Sequence, residues 1–120
     1  MNTPWFILSR RYGTDVASPD AQAIEAALKE LLIEDDAEVS EQVYAEHGNI
    51  WLRMGHDDGA LYVLTLHRSG SATFEHWADQ DYENELSPPR RREGLDFGQM
   101  LQLLHQLRAG DWMGVRETLR

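Results

Sequence analysis

Apolar residues recur along this chain with two periods, and the changes of period mark out the elements. Ile24, Ala27, Leu28, Leu31 and Leu32 fall at i, i+3, i+4, i+7 and i+8, the single stripe of a helix packed on one side. Ser18-Pro19-Asp20 opens that helix with an N-cap, a proline suited to the first helical position and an acid at the positive end of the dipole. A second stripe, Phe97, Met100, Leu101, Leu104 and Leu107, follows Asp96 as cap and stops at Gly110. Asp111 starts a last short helix with Trp112, Val115 and Leu119 inward.

Elsewhere the period is two. Residues 4–11 read as an opening strand, buried on both faces near Phe6 to Leu8, and Gly13 to Ser18 as a turn. Glu41 to His47 alternates as a strand with one wet face. Ile50, Leu52 and Met54 share one side of the next, and Leu61, Val63 and Thr65 oppose Tyr62, Leu64 and Leu66 in a third. Ala72 to Trp77 is the fourth. Asp57-Asp58-Gly59 and Ser69-Gly70-Ser71 supply tight turns, the Asp-Gly pair favouring the primed types that match strand twist. Strands joined so closely form an antiparallel meander. Residues 78–94, with Ser87-Pro88-Pro89 inside, read as irregular. The order β-α-β-β-β-β-α-α predicts one α+β domain over residues 1–120. Its core is a single antiparallel sheet of about five strands, helices packed on one face and the other face partly open.

Composition then narrows the chemistry. The 120 residues hold 21 Asp and Glu against 11 Lys and Arg, a net charge of -10, and no cysteine. Disulfides, thiolate metal sites and cysteine nucleophiles are thereby excluded. So acidic a chain is repelled by phosphate backbones, which argues against nucleic acid as partner. The longest apolar run, Trp5 to Leu8, is far below the ~20 residues of a membrane span, and the N-terminus lacks a signal-peptide pattern. A cytoplasmic protein without membrane contact is the expectation.

The sequence holds no phosphate-binding glycine loop and no Gly-x-Ser-x-Gly elbow. His56 beside Asp57 and Asp58 offers metal-ligand types, and His67 and His76 are placed to face each other across a strand pair, yet no helical His pair completes a ligand set. Glu75 with Asp79 or Asp81 is an acid/base pair in type only. Arg90-Arg91-Arg92 is able to hold a phosphate or carboxylate by bidentate contacts, but reads first as a solvated loop balancing the acids of 79–85. No metal, cofactor or catalytic residue is assigned, and the chain is read as a non-enzyme.

What remains is a surface. If helices cover the Ile50/Leu52/Met54 and Ala72/Phe74 side, alternation puts Trp51 and Trp77 on the open face, with Tyr44 or Tyr62 beside them. Aromatic residues ringed by carboxylates are what an interface hot spot looks like in sequence. The candidate partner-binding residues are Glu38, Glu41, Tyr44, Trp51, Glu75, Trp77, Asp79, Asp81, Glu83 and Glu85.

The layout resembles that of small bacterial immunity proteins of polymorphic-toxin systems. An early helix precedes a meander containing Ile50-Trp51-Leu52 and Leu61-Tyr62-Val63-Leu64-Thr65-Leu66, and a helix follows near the C-terminus, over roughly residues 20–119 of an acidic chain. The resemblance implies a cytosolic antidote that binds a cognate, basic toxin domain and blocks it without catalysis. Two other readings stay open. One is a general adaptor or chaperone-like module. The other is a small-ligand or enzyme domain using the open sheet face, lined by Tyr44, Tyr62, His67 and His76.

Overall fold

A computed structural model describes residues 4–11, 14–32, 48–56, 59–79, 82 and 84–119. In chain order the elements are β1 (Trp5–Ser9), β2 (Asp15–Ala17), α1 (Ala21–Leu32), β3 (Asn49–Gly55), β4 (Leu61–His67), β5 (Ala72–Trp77), β6 (Glu85–Arg92), α2 (Phe97–Arg108) and α3 (Trp112–Thr118). The six strands form one sheet in the order β2-β1-β3-β4-β5-β6, and every pairing is antiparallel. The helices lie on one side of it, so the α+β architecture read from periodicity holds with one strand more than expected.

Three details differ from the sequence reading. The 13–18 turn contains β2, three residues that pair with Ile7 to Ser9, too short for alternation to announce. The helix cap moves to Asp20, whose Oδ1 accepts from the Ala23 N–H at 2.8 Å, because Ser18 takes a positive φ of 49° and belongs to the preceding bend. The largest difference is β6, which runs through Pro88 and Pro89 where an irregular stretch was expected. Proline lacks the N–H of a central ladder, but among the described residues β6 is an edge strand with β5 as its one neighbour. The register confirms the accommodation: two steps along β5, Phe74 to His76, match three along β6, Arg90 to Ser87. Both sheet edges are thus blunted, β2 by shortness and β6 by prolines and bulges, which opposes edge-to-edge aggregation. Arg90, Arg91 and Arg92 are therefore strand residues. Arg91 pairs with Glu93 at 3.2 Å and Arg92 donates to the Thr118 carbonyl at 3.1 Å. The strand expected at 41–47 lies outside the described residues.

The core sits between the sheet and the helices. Leu8, Ile50, Leu52, Met54, Leu64, Leu66 and Phe74 meet Ile24, Leu28, Leu31 of α1 and Met100, Leu104, Leu107 of α2. Asp96 caps α2 in a reciprocal box: its carboxylate accepts from Gln99 N–H at 2.8 Å while Gln99 Oε1 accepts from Asp96 N–H at 3.0 Å. Gly110 follows at φ 85°, the left-handed residue that ends the helix. Side chains then fasten layer to layer. Arg10 pairs with the Glu30 carboxylate and the buried Arg11 donates to the Glu30 carbonyl at 3.1 Å. Arg108 Nε reaches the Pro19 carbonyl at 2.7 Å. These contacts fix which sheet face is covered, and so which one is left.

Candidate functional site

Register assigns the uncovered face residue by residue. One cross-strand row runs Asp15, Ser9, Trp51, Thr65, Thr73, Arg91, the next Ala17, Ile7, Arg53, Val63, Glu75, and the next Trp5, Gly55, Leu61, Trp77, Glu85. Alternation along β3 and β5 therefore placed Trp51, Glu75 and Trp77 correctly opposite the helices. Trp51, Glu75 and Trp77 are half-buried and Glu85 is exposed.

Two residues expected here are elsewhere. Tyr62 shares the helix side with Leu64 and Leu66, and His76 lies against it, ring centroids 4.4 Å apart. Trp112 of α3 closes over both at 4.9 and 5.0 Å. His67 and His76 accordingly occupy opposite faces and do not converge. For Tyr62 the signal is weak because Leu61 and Val63 on one parity of β4 are as apolar as Leu64 and Leu66 on the other; its register with β3, Leu52 opposite Leu64, settles the side. Glu38, Glu41, Tyr44, Asp81 and Glu83 lie outside the described residues.

The face is also less uniformly polar than expected. Leu61 and Val63 are only 2% and 3% exposed although they point away from the main core. Leu61 lies between Gly55 and Trp77, and the Trp5 indole lies so close over Gly55 that a Cβ there would stand 2.0 Å from the ring. Gly55 is thus required by close approach. Around this apolar floor stand the charges. Arg53 occupies the centre, its guanidinium 3.4 Å from Ser9 Oγ, which itself donates to Asp15 Oδ1 at 2.6 Å. Together with Trp51 and Tyr82 these three residues line a shallow concavity of about 310 Å³. Tyr82 also meets Trp77 edge-on at 5.3 Å, so one tyrosine links both tryptophan positions. Asp79, at the end of β5, accepts from the Asn84 side chain at 2.8 Å.

Sequence reasoning missed Arg53 and Tyr82 as members. Arg53 shares its parity with Trp51, a usable signal. Tyr82 sits in the acidic stretch beyond β5 at φ 59° and had none.

Two donors on this face are buried without an acceptor among the described residues, Arg53 Nε and Trp77 Nε1. Buried polar atoms are nearly always paired, so each calls for an acceptor from outside those residues. Burial pushes the Glu75 carboxyl above its usual value, and the negative charge of Glu85 adds to the shift. On the helix side burial pushes His76 below its usual value, helped by the positive Arg116. The signs oppose. For His76 the unfolded chain takes the proton first, so its contribution is fully present above pH 6.5 and is lost as pH falls through the lowered folded value. For Glu75 the folded chain holds the proton longer, so its penalty is absent below pH 4.5 and complete above its raised folded value. Glu75→Gln is expected to raise the thermal midpoint at pH 7 and leave it unchanged at pH 4. His76→Phe is expected to flatten the loss of stability between pH 7 and pH 5. Thermal unfolding of both variants across this range checks the assignment.

Compared with family models, curated proteins and solved structures, the chain matches none. Among the described residues no three His, Asp or Glu side chains group as a metal set, and no helix is long and apolar enough to cross a membrane. The functional reading therefore rests on the open face itself.

Proposed function

We propose that this protein is a non-enzymatic binding protein whose open sheet face docks a basic protein partner, and that the partner is a toxin domain it neutralises. The observation that carries the reading is the composition of one face. Half-buried Trp51 and Trp77 are bridged by Tyr82 and flanked by Glu75, Asp79 and Glu85. Rigid aromatic anchors in a polar rim are the energetic centres of protein interfaces. A sheet presents them at fixed spacing, so little side-chain entropy is lost on docking. The raised pKa of Glu75 supports the same reading, since a partner cation that restores its charge also relieves its repulsion with Glu85.

The chain-wide charge of -10 adds long-range steering toward a cationic protein, accelerating encounter at low salt. Arg53 Nε and Trp77 Nε1, without an acceptor among the described residues, suit backbone carbonyls or a carboxylate within the partner's basic surface. The resemblance in layout to bacterial immunity proteins supports the toxin as the kind of partner. A general adaptor would use the same face, and the two readings separate in cells. The partner captured at low salt, expressed alone in a bacterial host, is expected to arrest growth, and co-expression of this chain to restore it. A captured partner without toxicity would leave the adaptor reading in its place.

A further inference from the structure

At the β3 start, β4 end and β5 start, the same face holds a second hollow, of about 340 Å³, separate from the aromatic concavity. Four hydroxyls line it, Thr65, Ser69, Ser71 and Thr73, and Asn49, His67 and Arg91 complete the described lining. No carboxylate is among them, although acids outnumber bases nearly two to one in the chain.

The hydrogen bonds inside the hollow set its donor and acceptor balance. His67 Nδ1 accepts the Ser69 backbone N–H at 3.0 Å, with Ser69 Oγ 2.7 Å away. That contact leaves the ring proton of neutral His67 on Nε2, a donor. The turn that makes the contact is fixed by Gly70 at φ 97°, where a Cβ would also come within 3.2 Å of the Leu95 carbonyl. Arg91 brings a guanidinium, which is donor only. Its present partner is Glu93, with both side chains largely in water, a kind of pair worth little and readily exchanged. The Ser69 hydroxyl gives its proton to His67 Nδ1, the Thr65, Ser71 and Thr73 hydroxyls donate or accept as required, and Asn49 adds an amide. The set as a whole is rich in donors and carries its fixed charge as a cation.

We infer that this hollow binds an oxyanion, a phosphoryl or carboxylate group, gripped by Arg91 and the Thr65, Ser71 and Thr73 hydroxyls with His67 Nε2–H as a further donor. Guanidinium and hydroxyl donors on rigid strands match such a group geometrically, Arg91 through two parallel N–H bonds. The inference is independent of the docking reading, because it involves neither tryptophan nor the acidic rim.

The test is an amide-resolved NMR titration of the whole chain with sodium phosphate and with sodium acetate, each against sodium chloride at equal ionic strength. Saturable shifts confined to residues of this lining, Thr65, His67, Ser71, Thr73 and Arg91 foremost, are expected, about tenfold weaker in Arg91→Gln, the loss of one charge-assisted contact. Thr73→Val keeps the strand and removes one hydroxyl, and is expected to weaken binding with an unchanged unfolding midpoint. Tighter saturation by phosphate identifies a phosphoryl ligand, and tighter saturation by acetate a carboxylate. Shifts that grow without saturating, that chloride reproduces, or that persist undiminished in Arg91→Gln overturn the inference.

Discussion

Phe74→Ala is expected to remove about 3–5 kcal/mol of stability, the usual cost of emptying a buried aromatic site. Phe74 is 2% exposed at the middle of β5, opposite Leu64, with Tyr62 stacked 6.4 Å away. Tyr62 in turn carries His76 and Trp112, so the cavity would open beneath the only ring stack that joins α3 to the sheet among the described residues. Against a total stability of about 5–15 kcal/mol for a domain this size, the loss is about a fifth of the whole or more. Urea unfolding followed by tryptophan fluorescence measures the change. A loss below about 1 kcal/mol, ordinary for surface substitutions, would show that the helices do not seal this side as described.

The second large effect is on binding. Trp77→Ala is expected to weaken association with the basic partner about thirtyfold, the size of an interface hot spot. The indole is half-buried against Tyr82 and Leu61, and its Nε1 lacks an acceptor among the described residues. Truncation removes both an apolar anchor and a donor, and most of the change should lie in dissociation. The fold should survive, because Trp77 is on the face away from the main core. Surface-plasmon kinetics with the captured partner read the effect. Unaltered dissociation would remove Trp77 from the interface.

Much of this fold was legible because amphipathic periods are local. The stripes of α1 and α2, the Asp96 cap and Gly110 stop, and the wet parity of Trp51, Glu75 and Trp77 follow from spacing alone. What failed did so where the deciding interaction is distant or the local signal is erased. β6 looked irregular because Pro88 and Pro89 contradict strand propensity, and only its edge position makes them tolerable. Tyr62 lies on the helix side although β4 carries apolar residues on both parities, so its face is set by pairing with β3 and by Trp112 arriving from α3, whereas His76 follows the Ala72 and Phe74 parity of β5. The floor formed by Leu61 and Val63 was hidden for the same reason. Within the candidate site, the carboxylates and tryptophans were readable as types, whereas Tyr82 depends on a chain turn that no pattern announces. The Arg91 hollow is built from four strands and a turn, and its hydroxyls are unremarkable until register brings them together.

Location, more than total charge, is the claim on which the proposed function stands, and one paired comparison separates the two. Glu75 and Glu85 on the open face, or Glu25 and Glu117 away from it, are reversed to Lys, so that both variants shift the net charge equally. Each is then used beside the unaltered chain for low-salt capture of basic proteins from the native cell. The account predicts that the unaltered chain and the Glu25/Glu117 variant retain the same partner and that the Glu75/Glu85 variant loses it. Equal retention by both variants, or equal loss, would contradict it.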